Sequence, residues 1–133
     1  MMCGSAAIAG CTRVTPLSGS YALTPPVRYA CQNDLFKMEV LNLMLSSLRI
    51  DVTSLSVTVM GTPVALTGGP VVGGAFRAAG TVPGTCAAAI TLSGTFRDER
   101  TFMGTLDLAF AGFECPLTTC EPQRFSVTGT RSP

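Results

Sequence analysis

Apolar and polar residues alternate with a period of two along most of the chain, the pattern of strands that turn one face to a core and the other to water. Beyond Ser54, Leu55, Val57 and Val59 face one way and Ser56, Thr58 and Met60 the other, up to a turn at Gly61-Thr62-Pro63. Val64 and Leu66 continue the series, and Gly68-Gly69-Pro70 and Gly73-Gly74 interrupt it. Phe76, Ala78, Gly80 and Val82 resume the inward face, with Arg77, Ala79 and Thr81 outside. The strongest hairpin signal follows. Ile90, Leu92, Gly94 and Phe96 lead through Asp98-Glu99-Arg100 into Phe102, Gly104, Leu106, Leu108 and Phe110. Phe125 and Val127 close the series. At the front, Gly19, Tyr21 and Leu23 alternate with Ser20, Ala22 and Thr24, and Pro25-Pro26 is expected to end that strand.

Residues 34–48 are ambiguous. They are rich in helix formers, and Asn33 or Asp34 could cap a helix there. Phe36, Met38 and Val40, however, alternate with Lys37 and Glu39, and Leu35, Leu41, Leu43, Met44, Leu45 and Leu48 leave no clean polar helical face. The favoured reading is a strand with a register change near Asn42.

A short motif recurs in strand positions, as Ser18-Gly-Ser-Tyr21, Ala79-Gly-Thr-Val82, Ser93-Gly-Thr-Phe96, Met103-Gly-Thr-Leu106 and Thr128-Gly-Thr-Arg131. Glycine inside a strand marks a bend or a close backbone approach, which a tightly curved barrel needs at its corners. The expected fold is therefore all-β, a small antiparallel up-and-down β-barrel of about eight strands. The alternatives are a β-sandwich, or a barrel with one helix at residues 34–48.

Composition narrows the function. The nine basic and eight acidic residues form no run or stripe, so the footprint of a nucleic-acid binder is missing. No apolar stretch approaches the length of a membrane-spanning helix. The chain has no histidine, which excludes Ser-His-Asp and Cys-His nucleophiles and imidazole ligands. Asp98 and Glu99 read as solvated turn residues and Asp107 as an outward strand residue. Glu114 and Glu121 flank a cysteine loop, where a carboxylate pair or a Ca2+ contact is the weak alternative. No enzyme activity, cofactor or metal is expected.

Ile8-Ala9-Gly10-Cys11, small residues ending in cysteine after an uncharged apolar segment, has the order of a bacterial lipobox. On this reading residues 1–10 are a signal-peptide remnant, Cys11 is lipidated, residues 11–17 form a tether, and residues 18–133 form one barrel domain. The same reading sorts the six cysteines. Cys3 leaves with the signal, and Cys31, Cys86, Cys115 and Cys120 remain as two disulfides of an oxidising compartment. Three connectivities are possible, and Cys115 with Cys120 and Cys31 with Cys86 is the expected one. Zinc at Cys115-Pro-Leu-Thr-Thr-Cys120 is the weaker alternative. With strands running alternately up and down, all four cysteines fall on one barrel end.

Gly19-Ser20-Tyr21 on the first strand and Arg131 on the last resemble the calycin pattern, in which a Gly-x-Trp lies under a basic residue that seals one barrel end; here Tyr21 stands in the tryptophan position. With the lipobox, the chain resembles small bacterial lipoproteins, and no activity comes with that resemblance. It implies Tyr21 and Arg131 as a barrel-end seal or ligand contact. The expected function is a non-catalytic cell-envelope lipoprotein, an interaction domain joined to the membrane by its lipid on the periplasmic or outer-membrane face, or secreted. Its partner would be an envelope protein. The alternative is a lipocalin-like carrier of a small apolar ligand.

Overall fold

The two-residue period is realised in eight antiparallel strands, each hydrogen-bonded to the next in sequence, with the last returning to the first to close a barrel. The computed structural model describes residues 15–132, so the readings placed on residues 1–14, including lipidation of Cys11, lie outside the described residues. The strands are β1 (Gly19–Gln32), β2 (Glu39–Val52), β3 (Val57–Met60), β4 (Leu66–Gly68), β5 (Ala75–Val82), β6 (Ala87–Asp98), β7 (Thr101–Ala111) and β8 (Gln123–Arg131). A single 3-10 turn, Cys115–Leu117, lies between β7 and β8. β1 and β8 close the barrel by pairing from Tyr21 opposite Arg131 to Thr24 opposite Thr128. Both the sandwich and the helix at residues 34–48 are thereby replaced by one closed sheet.

Three local readings are corrected. β1 does not stop at Pro25-Pro26; it continues to Gln32 across a register shift, Ala22 pairing with Ser47 and Val27 with Leu45. The prolines sit in that bulge, where a missing N–H costs no ladder bond. In β2 the inward set switches from Leu41, Leu43 and Leu45 to Leu48 and Ile50, with Ser46 and Ser47 both outward. The register change therefore lies at the serine pair opposite the proline bulge and not near Asn42. Leu55, expected inward, is exposed in the β2–β3 turn, where Thr53 accepts the Ser56 N–H through Oγ1 at 3.1 Å and donates its own N–H to Ser56 O. β3 begins only at Val57, and the alternation before it has no pairing partner.

The interior is filled by inward side chains. Tyr21, Ile50, Val57, Val59, Leu66, Ile90 and Phe102 are 0% exposed, so no space the size of a water molecule lies against them, outside or within. Apart from the Tyr21 hydroxyl, no polar or charged side chain is buried among the described residues. Four aromatics fill the end nearest Arg131. Phe102 lies 5.7 Å from Tyr21, 5.3 Å from Phe76 and 5.6 Å from Phe96, between ring centroids. The recurring glycines make room for them. Phe102 is paired with Gly129 and Phe76 with Gly94, and in each pair the ring occupies the space a Cβ would need.

Candidate functional site

The two barrel ends are built differently. At the end where the chain enters, residues 17 and 18 cross the mouth beside the β6–β7 turn: Leu17 N–H donates to Glu99 O at 3.1 Å, and Ser18 Oγ accepts from Val52 N–H at 2.8 Å. Tyr21 points up from inside and donates its hydroxyl to Leu17 O. Burial pushes its phenol above the ordinary value, against the opposing pull of Arg131 and Arg100. Arg131 Nε donates to Ser18 O at 2.9 Å. Its guanidinium lies over Gly19, whose φ of +151° favours glycine and where a Cβ would come within 2.7 Å of Nε. Gly19, Tyr21 and Arg131 are thus brought together across this mouth.

The opposite end carries all four cysteines, as the strand count implies: Cys31 at the end of β1, Cys86 between β5 and β6, and Cys115 and Cys120 between β7 and β8. Their pairing differs from the expected one. The bonds are Cys31 to Cys120 and Cys86 to Cys115, with Cα separations of 5.0 and 4.7 Å. The reason is the path of the β7–β8 connection. At its start, Glu114 N–H donates to Thr85 O at 3.2 Å, which lays Cys115 beside Cys86. Further on, Thr118 bridges to Asn33 as an antiparallel neighbour, and Thr119 N–H donates to Gln32 O at 3.0 Å. That short ladder sets Cys120 against Cys31. The turn at Cys115–Leu117 sends the two nearby cysteines to different strands, and with each sulfur bonded the thiolates of a zinc loop are no longer available.

Non-reducing tryptic mapping distinguishes the two pairings. The observed bonds link residues 29–37, 78–97 and 101–124 into one three-peptide species. The expected pairing leaves 101–124 separate, with an internal bond. Recovery of that separate peptide would contradict the observed connectivity.

Around these bonds lies a feature the sequence did not disclose. The β1–β2 connection is a compact turn. Asn33 Oδ1 accepts from Leu35 and Phe36 N–H at 2.8 and 3.0 Å, Asn33 N–H donates to Met38 O at 2.8 Å, and Lys37 is left-handed at φ 56°. Asp34 N–H donates to Leu117 O at 2.8 Å, which ties this turn to the β7–β8 connection. Tyr29 secures the far side: its ring stacks on Phe110, and its hydroxyl both accepts from Glu121 N–H at 2.8 Å and donates to Glu121 O at 3.0 Å. The two pinned loops display Leu35 (67% exposed), Phe36 (73%), Met38 (66%), Phe113 (80%) and Leu117 (44%). Phe36 and Met38, expected as alternating strand positions, are therefore surface residues. Asn33-Asp34, a common turn pair, was the available sign that alternation stops there.

At the foot of this tip an open groove of about 500 Å3 is lined by Ala30, Cys31, Gln32, Lys37, Glu39 and Thr119. Asp107, on the barrel wall, is held at 2.6 Å by Arg124, whose guanidinium pKa that hydrogen bond raises. Glu114 and Glu121 enter the tip through their backbone groups, and neither carboxylate has a hydrogen bond or ion pair among the described residues. Compared with family models, with curated proteins and with solved structures, the chain matches none.

Proposed function

We propose that the chain is a non-catalytic cell-envelope lipoprotein whose barrel serves as an interaction domain. One observation carries the reading: the barrel interior is occupied by its own side chains, while one end holds large apolar side chains out in water on loops fixed by both disulfides. A soluble domain seldom exposes several such residues together without a partner for them. The filled interior weighs against the carrier of a small apolar ligand, because an eight-stranded barrel holds a ligand only where inward side chains leave room. The absence of histidine supports a role without acid-base chemistry. The closure of Gly19, Tyr21 and Arg131 supports kinship with calycin barrels at the level of the seal.

The envelope address rests on Ile8-Ala9-Gly10-Cys11 and on the disulfides, which persist in oxidising compartments. Membrane attachment is then through the lipid, and Thr12 in place of aspartate after Cys11 suits passage to the outer membrane. Palmitate labelling with fractionation tests this. Wild-type protein is expected to be labelled and membrane-bound, and Cys11→Ala to be unlabelled and released. Unchanged labelling and location in the variant would remove the anchor.

A further inference from the structure

The charges of this nearly neutral chain are divided by barrel end. The Arg131 half carries Arg49, Arg77, Arg97, Arg100 and Arg131 against Asp51, Asp98 and Glu99. The cysteine half carries Asp34, Glu39, Asp107, Glu114 and Glu121 against Arg28, Lys37 and Arg124; Asp107 and Arg124 pair on the barrel wall, and the tip loops themselves carry Asp34, Glu114 and Glu121 against Lys37. The exposed apolar side chains of the tip therefore stand in an acidic surround, and Glu39 lines the groove at its foot.

We propose that this tip is a docking face for a protein whose apolar pocket is rimmed by lysine or arginine, with Phe36 and Phe113 as the anchoring side chains. The inference rests on the interaction-domain reading and deepens it by naming the partner's chemistry. Charge selects among the possible occupants. Two copies meeting tip to tip would set like-charged surfaces against each other, and an anionic bilayer would be repelled by the same carboxylates. A basic rim around an apolar pocket complements both features, the phenyl rings filling the pocket and the carboxylates steering approach. The disulfides, the Asn33 turn and the Asp34 to Leu117 bond order the loops beforehand, so less freedom is lost on binding. Leu17 and Ser18 are held across the opposite end, so a tether from Cys11 would join the barrel at the end away from the tip.

The test uses the purified full chain and three probes: a fluorescent peptide alternating leucine with lysine, its counterpart alternating leucine with glutamate, and vesicles of phosphatidylcholine with phosphatidylglycerol. The leucine-lysine peptide is expected to bind, to weaken as salt rises, and to shift amide resonances only in residues 33–39 and 112–122. Phe36→Ser with Phe113→Ser is expected to weaken it by about tenfold or more with the melting temperature unchanged, since both rings lie in water. Leu55→Ser, an equally exposed leucine near the other end, is the control and is expected to bind as wild type. Equal binding of both peptides, binding of neither, vesicle binding in their place, or self-association lost in the Phe variant each overturns the proposal. Resonance shifts on another face also overturn it while leaving the interaction-domain reading intact. Unchanged palmitate labelling in Cys11→Ala would remove the anchor without touching the tip.

Discussion

Replacing Cys31 and Cys120 together by serine is expected to lower stability by about 4–5 kcal/mol, and Cys86 with Cys115 by about 3–4 kcal/mol, because loop-closure entropy grows with the chain enclosed. The enclosed separations are 89 and 29 residues. Against a domain stability of about 5–15 kcal/mol, losing either bond is severe, and losing both is expected to unfold the protein at 37 °C. The β7–β8 connection makes the loss worse. It has no long strand partner and is held by a few backbone bonds to Thr85, Gln32 and Asp34. Urea titrations of the two pair variants under non-reducing conditions give the comparison. A larger loss for the Cys86 and Cys115 pair would show that native contacts, and not loop length, set the order.

Phe102→Ala is the second large effect, expected at about 3–5 kcal/mol. The ring is fully buried, meets three other aromatics, and covers the backbone of Gly129 across the β7–β8 pair. Its removal opens a cavity bounded by rings whose partners are fixed by barrel closure, so the space cannot collapse cheaply. Gly129→Ala strikes the same contact from the other side and is expected to cost about 1–3 kcal/mol by overpacking. Met103→Ala, one residue along β7 but half exposed on the outer wall, is expected to stay within about 0.5 kcal/mol. Chemical denaturation of the three variants checks the order. If Phe102→Ala matched Met103→Ala, the filling of this end by aromatic side chains would be wrong.

The strands from Val57 onward were legible because each long run keeps one parity between clear turns, as from Ile90 through Asp98-Glu99-Arg100 to Phe110. Parity was misleading wherever the chain alternates without a neighbour to pair with. Leu55, Phe36 and Met38 fit the pattern and lie in turns, because the pattern records spacing while a strand also needs a partner ladder. Pro25-Pro26 misled in the opposite direction: local chemistry argued for a stop, and the pairing of Val27 with Leu45 carries β1 past it. The cysteine end was legible as a location from strand count alone. Its connectivity was not, since it depends on Thr118 meeting Asn33 from far along the chain. The tip was hidden for the same reason, being assembled from two loops that nothing in either local sequence joins.

Closure by the first and last strands also fixes when this molecule can become itself. Until residues 123–131 arrive, β7 and β1 each keep a bare edge of unpaired N–H and C=O groups. The Cys31 to Cys120 bond likewise waits on nearly the whole chain. Contacts so distant in sequence form slowly. Folding is thus a late event, complete only after the last strand has been delivered, and a chain cut short before β8 has the exposed edges of an aggregating species in place of a smaller working barrel.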